Sequence, residues 1–344
     1  MYQLPTAPIK LPENLRTFKD RSRRHRPVKV AALGGGHGLY GSLSALRHVT
    51  SDLTAIVTVA DDGGSSGRLR QDFGVLPPGD LRMALSALCD DTDWGRTWRD
   101  VMQRRFHSTV QNPSSGLEDH ALGNLLIVTL WQLLEDTVAG LDWAGALLNA
   151  RGRVLPMSCE PLVIEGDDVR YDDAGVPVVD HVVGQVNVAK VARAENVKLT
   201  PEGAEACEES VQSILEADWV ILGPGSWFTS VLPHLLLPGI RDALLQTEAK
   251  ICVVMNLELE DRETLGMSAS EHLRILRKYV PEFRLNAVIA DCDGMGSPDE
   301  LNKVAVELGG KVFWRSVRNS VERNVHDPLK LGAAYQEVFR TYLS

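Results

Sequence analysis

The sequence predicts an α/β protein with a doubly wound, mostly parallel, Rossmann-like sheet. Two observations carry that expectation. Short apolar strand patterns alternate with helical ones near both ends of the chain. Two of those strands, Val28–Leu33 and Trp219–Leu222, run directly into glycine turns that open helices.

The elements follow in order. Val28–Leu33 (VKVAAL) reads as a buried strand and leads into Gly34-Gly35-Gly36-His37-Gly38. Leu39 to Arg47 then places Leu39, Leu43 and Leu46 on one helical face. Leu53–Val59 (LTAIVTV), rich in β-branched residues, is a second strand, so a parallel βαβ unit is expected. A long polar loop runs from Ala60 to Gly67, followed by Pro77-Pro78-Gly79-Asp80. Helical patterns occupy about 81–89, 94–106, 120–134 and 137–149. Residues 153–199 differ, with short apolar runs set between Gly and Asp turns, and read as a β-rich insertion. Alternation resumes from 204, with strands at Trp219–Leu222, Lys250–Asn256 and Leu285–Ala290 and a last helix at 328–342. The expected organisation is a basic, irregular extension over 1–27 and one α/β domain over 28–344.

Composition narrows the function classes. The 344 residues are 44% hydrophobic and 24% charged, ordinary for a globular protein. A net charge of −10 argues against a nucleic-acid binder. The basic stretch from Lys19 to Lys29 is local and reads as a solvated tail. Five scattered cysteines without a CxxC pair suit a reducing compartment rather than a disulfide framework or zinc site. No apolar run approaches the ~20 residues of a membrane span, and the first 25 residues lack a signal-peptide core. A cytoplasmic location is the expectation. Self-association is left open.

In doubly wound sheets ligands sit outside the carboxyl ends of the strands, which selects the loops 34–38, 60–67, 223–226 and 256–265. At Gly34, Gly35, Gly36, His37 and Gly38 a phosphate can approach the backbone and the N-terminus of the following helix. Gly36-x-Gly38-x-x-Gly41 also has the letters of a dinucleotide fingerprint, so an NAD-type ligand is an alternative. Asp61-Asp62-Gly63-Gly64-Ser65-Ser66-Gly67-Arg68 is the densest signal. Its carboxylates, Asp62 among them, suit a hydrated Mg²⁺, while Ser65, Ser66 and Arg68 suit phosphate. Asp80 opens a helix and serves either as cap or ligand. His120 and Asn124, four residues apart, are expected on one helical face. Gly223, Gly225, Ser226 and Thr229 repeat the strand–turn–helix arrangement, and Asn256 ends another strand. No nucleophile elbow or Walker lysine motif is present.

Taken in order, LGGGHGLYG from Leu33, IVTVADDGGSSGRLR from Ile56, PPGDLR from Pro77, HALGNLL from His120 and LGPGSWFTS from Leu222 resemble the gluconeogenesis-factor (YvcK-like) family. That family is similar in fold to the CofD-like 2-phospho-L-lactate transferases. The resemblance spans roughly 28–342. It implies binding of UDP-N-acetylglucosamine, a role in cell shape and peptidoglycan precursor supply during gluconeogenic growth, and a protein partner in amino-sugar synthesis. No catalytic residue is identified. The alternative is an Mg²⁺-dependent phospholactyl-type transferase.

The basic extension precedes the first strand. A chain starting at Val28 is expected to keep the ligand affinity and melting temperature of the full chain, and a large loss of either would place the extension against the fold.

Overall fold

The computed structural model describes residues 26–108, 115–172, 174–191, 194–258, 264, 266–293 and 297–342. Most of the expected N-terminal extension, residues 1–25, lies outside the described residues, as does 259–263 within the expected loop after Asn256.

The first half runs β1 (Lys29–Gly34), α1 (Gly36–Leu46), β2 (Asp52–Val57), α2 (Gly64–Phe73), α3 (Pro78–Leu88), α4 (Asp93–Gln103), α5 (Leu122–Leu134), α6 (Thr137–Leu147) and β3 (Arg153–Pro156). An insertion follows with β4 (Val163–Tyr171), β5 (Pro177–Val183), α7 (Gln185–Val188) and β6 (Ala194–Thr200). The chain returns through α8 (Glu208–Leu215), β7 (Trp219–Leu222), a π-helical turn at Trp227–Val231, α9 (Leu232–Leu236) and α10 (Pro238–Gln246). It ends with β8 (Lys250–Val254), α11 (Ala269–Tyr279), β9 (Ala287–Ala290), α12 (Pro298–Glu307), β10 (Lys311–Trp314) and α13 (Pro328–Thr341).

Seven strands form one parallel sheet in the order β10-β9-β8-β7-β1-β2-β3. Strand β1 is apolar almost throughout because both its faces are covered, and every residue after Lys29 is buried. From β1 the chain first builds outward through β2 and β3. It then crosses to the other side of β1 and builds through β7 to β10. The order therefore reverses between β1 and β7, which is where such sheets open a crevice.

The insertion is a separate three-stranded antiparallel sheet, β5-β4-β6. It is smaller than the 153–199 segment expected. Arg153–Pro156 is the edge strand of the parallel sheet instead, paired with β2. Its short apolar run beside a glycine turn looks locally like the meander that follows. Two further boundaries shift. Helix α1 starts at Gly36 rather than Leu39, so the glycine run supplies its first turn. Helix α2 starts at Gly64, inside the segment expected as loop to Gly67. Gly67 permits that, since a Cβ there would lie 2.1 Å from the Asp62 carbonyl oxygen.

The core is a nearly continuous cluster centred on the parallel sheet. Helix α13 closes one face. Its Phe339 stacks on Trp219 at 4.8 Å between ring centres, and its buried Tyr335 hydroxyl hydrogen-bonds Ser42 of α1 at 2.7 Å. Among the described residues no helix is long and apolar enough to cross a membrane.

Tyr335→Phe should cost about 1–2 kcal/mol in urea unfolding, because the Ser42 hydroxyl then loses its partner in a dry site. The double change with Ser42→Ala should cost less than the two single changes added together. Strict additivity would mean that the bond adds nothing.

Candidate functional site

Both glycine loops lie at the carboxyl edge of the sheet, one on each side of the β1/β7 reversal. Backbone proximity explains their residue types. A Cβ on Gly35 would lie 2.5 Å from Thr58 Oγ1 and 2.6 Å from Asp80 Oδ2. A Cβ on Gly38 would lie 2.2 Å from the Pro224 carbonyl oxygen, so the two loops touch. Gly36 differs: its φ of +55° favours glycine, and a Cβ there would meet nothing closer than Asp80 Oδ1 at 4.0 Å. The open side of the turn is thus at Gly36, with His37 exposed beside it. As first-turn residues of α1, His37 and Gly38 have N–H groups without an acceptor four residues back.

Asp80, at the start of α3, sits beneath this turn. It accepts hydrogen bonds from the Gly36 N–H and, at 3.4 Å, from the Thr58 hydroxyl. Burial, with the negative charge of Asp61 second, pushes its pKa up to about 7. Asp61 is raised as well, chiefly by burial. Its Oδ1 accepts from the Gly63 N–H at 2.9 Å, and Ser66 donates to it. The Ser66 oxygen in turn accepts from the Gly79 N–H at 3.0 Å, which ties Asp61 to the segment that carries Asp80.

Asp62, the expected metal-holding residue, turns the other way. Its Oδ1 accepts from the Val186 N–H of α7 at 2.9 Å, so it anchors the insertion. The carboxylate that shares the crevice floor with Asp80 is Asp61. Among the described residues no group of three or more His, Cys, Asp or Glu side chains is arranged for a metal. Two carboxylates still fit Mg²⁺, which keeps waters and completes its shell with ligand phosphates.

A second cluster lies alongside. Arg82 Nε donates to Asn124 Oδ1 at 2.9 Å, and Asn124 Nδ2 donates to Ser65 Oγ at 2.9 Å. Ser65 Oγ lies 2.9 Å from His120 Nδ1. The Ser65 hydroxyl accepts from Asn124 and still has its proton to offer His120 Nδ1, in which case the ring proton is on Nε2. Burial, then the positive charge of Arg68, hold the His120 pKa below its ordinary value, so the ring is neutral near pH 7. The expected shared helical face is not what joins these residues. Helix α5 begins at Leu122, two residues after His120, and Ser65 from α2 brings His120 and Asn124 together. Ser65 and Ser66, expected to face phosphate, are both buried and bonded within the protein. Arg68 donates to the Glu118 carbonyl oxygen at 2.6 Å.

The second loop is clamped by Asn256, which follows β8. Its amide accepts from the Gly225 N–H at 2.8 Å and donates to the Gly225 carbonyl at 2.9 Å. Ser226 caps the π-helical turn by accepting from the Thr229 N–H at 3.2 Å, and the two hydroxyls are hydrogen-bonded. Asn256, Ser226 and Thr229 thereby shape the loop.

Sequence reasoning missed Thr58 and His234, and it placed Arg82 either on an anion or on a solvated face. Thr58 supports Asp80 from the end of β2. Arg82 is buried, with its pKa lowered to about 10 by burial, and holds Asn124 in place. His234, fully buried, lies 3.1 Å from both the Ser230 and Ile56 carbonyls and joins α9 to β2. Only the i, i+4 spacing of Ser230 and His234 could have hinted at this. Asp291, a strand-end aspartate, lies away from the crevice floor in role: it holds the Val317 and Arg318 N–H groups and the Arg318 side chain.

With the geometry in view, comparison with known proteins is informative. The sequence profile of the family described as 2-phospho-L-lactate transferase CofD matches residues 30–312. A Mycobacterium leprae relative is 43% identical over 316 residues, covering 91% of this chain and 86% of its own. The gluconeogenesis factor of Bacillus subtilis is 35% identical over 276 residues, covering 80% of this chain and 81% of its own. A crystal structure of a Bacillus halodurans protein superposes with a TM-score of 0.77 at 30% identity, covering 90% of this chain and 99% of that one.

Asp80 binds its proton more tightly in the folded protein than a free aspartate does. The resulting stabilisation is full below the ordinary pKa of 3.8 and is lost as pH rises through about 7. Asp80→Asn should therefore gain stability relative to the parent between about pH 5 and 8, on the order of 3 kcal/mol. Parallel melting-temperature profiles for the two proteins would show that Asp80 ionises without penalty.

Proposed function

This chain belongs to the CofD family, among its gluconeogenesis factors, and on that footing we propose that it is a nucleotide-sugar-binding regulatory protein whose ligand is UDP-N-acetylglucosamine. One observation carries the reading. The two glycine loops meet on either side of the strand-order reversal, where a ligand with two ends can lie across both. The diphosphate would rest on the first turn of α1, over Gly36, His37 and Gly38, where helix N–H groups favour anions. Asp61 and Asp80 fit a hydrated Mg²⁺, which would neutralise phosphate charge when bound. His120, neutral and held by Ser65, would serve as a hydrogen-bonding wall. Ser65, the hydroxyl that stands beside His120, is buried and bonded to both His120 and Asn124, and that supports regulation of cell shape and peptidoglycan precursor supply through a protein partner in amino-sugar synthesis.

A second reading, a phospholactyl-type transferase, is favoured by the CofD profile and the Asp61–Asp80 pair, because phosphoryl chemistry can run on positioning and charge neutralisation alone. The NAD-type alternative is weaker. It needs an acidic residue free for a ribose at the end of β2. Asp61 and Asp62 instead engage the 63–79 segment and the insertion.

The test is a thermal-shift and calorimetry panel with UDP-N-acetylglucosamine, GDP and NAD, each with and without Mg²⁺. The expected result is stabilisation by UDP-N-acetylglucosamine, about 2.7 kcal/mol at 100 times Kd, with no turnover. Gly36→Val should abolish it while leaving the circular dichroism spectrum unchanged. Stabilisation by GDP alone, with transfer from a GDP-linked phospholactate donor to a deazaflavin acceptor, would overturn the regulatory reading.

A further inference from the structure

The parallel sheet has a second opening, at the edge opposite the crevice. There the loop from α1 to β2 and the loop from α6 to β3 wall a cavity of about 1030 Å³. Arg47, His48, Arg151 and Arg153 line it, together with Asp90 and Asp142. Small-molecule sites usually offer roughly 300–1,000 Å³, so a metabolite fits. Helix α1 joins the two ends of the sheet: it starts at Gly36 beside the crevice, and Arg47 is its C-cap.

The two carboxylates of the cavity are already engaged. Asp142 accepts from Arg153 Nε and Nη2, both at 2.9 Å. Asp90 accepts from the Thr92 N–H at 3.1 Å and from Asn149 Nδ2 at 3.2 Å. Arg47 is not matched in the same way. Its side chain is only 7% exposed, and its Nη2 donates to Asp91 Oδ1 at 2.7 Å. Its Nε and Nη1 are buried and have no hydrogen-bond partner among the described residues. Asp91 is itself shared with Arg99, whose Nη2 lies 3.5 Å away. Arg151 is exposed and lies within electrostatic reach of both Asp90 and His48. Burial, then the Arg47 charge, holds His48 below its ordinary pKa, so the arginines alone carry the positive charge near pH 7.

A basic residue at the end of a helix ordinarily serves the helix carbonyls. Arg99 does so here, donating to the Cys89 and Asp90 carbonyls after α3 at 3.3 and 3.1 Å. The Arg47 side chain donates to no carbonyl among the described residues. A buried guanidinium with two idle nitrogens is costly until an anion comes near it.

We propose that this cavity is a second ligand site, which takes a metabolite-sized molecule through a phosphate or carboxylate group. Charge selects that group. Three arginines line the cavity against two aspartates that are already hydrogen-bonded, in a chain whose net charge is −10. Arg151 meets the anion from the exposed side, and the charge of Arg47 balances it from the buried side. The planar guanidinium fork suits the paired oxygens of either group. The site does not depend on what the crevice binds.

The experiment uses the full chain, with inorganic phosphate and citrate as separate probes titrated at constant ionic strength. Melting temperature and the histidine ring signals in NMR are the readouts. The expected result is a saturable rise in melting temperature with at least one probe, accompanied by a shift of the His48 signal, assigned from His48→Gln. Whichever probe acts identifies the group. Gly36→Val, which alters the crevice turn, should leave both readings in place. Arg151→Glu, at an exposed position where folding should be unaffected, should weaken binding about tenfold or more. Its circular dichroism spectrum without probe checks the fold. The absence of a saturable effect from either probe would overturn the proposal. So would an effect that is lost in Gly36→Val, or one that Arg151→Glu leaves intact.

Discussion

Gly38 of the first loop and the Pro224 carbonyl of the second come closer than any side chain would allow. The crevice depends on that approach. It brings the carboxyl ends of β1 and β7 together at the point where strand order reverses, and two loops more than 180 residues apart become one surface. Asn256, reaching from β8, fixes the far side of this junction by pairing with both polar groups of the Gly225 backbone. A larger residue at 38 would separate the loops and open the junction to water.

The junction sets an electrostatic problem beneath it. Asp80 and Asp61 lie under and beside the first turn of α1, and each is raised in pKa by burial. Two ionised carboxylates there would repel each other and any phosphate above them. A proton on Asp80 relieves the repulsion, and so does a divalent cation. The same residues thus make stability sensitive to pH, and would make the binding of a phosphate ligand sensitive to a divalent cation. The neutral His120, held through Ser65, Asn124 and Arg82, adds a polar ring without adding charge.

The insertion is coupled to this region by few contacts of known chemistry. Asp62 accepts from the Val186 N–H, and Arg70 donates to the Leu162 carbonyl at 2.7 Å. The first comes from the aspartate pair just before α2 and the second from the last turn of α2. One helix therefore carries residues that serve the crevice floor, the His120 cluster and the insertion. That explains why the Asp61–Arg70 segment is so dense in polar and glycine residues.

The sequence by itself determined the class of fold and which loops lie at the carboxyl edge of its sheet. Apolar strand patterns, helical faces and glycine turns are local signals, and a parallel sheet with loops at its carboxyl edge follows from them. The strand order came only from the structure, since nothing local says on which side of β1 the chain returns. So did the roles within each loop. Asp61 and Asp62 are neighbours of the same type, yet one meets Gly63 and Ser66 and the other meets Val186. His120 and Asn124 meet through a serine from another helix. Which way a polar side chain points is decided by partners that the chain delivers from far away, and spacing in sequence carries no record of them.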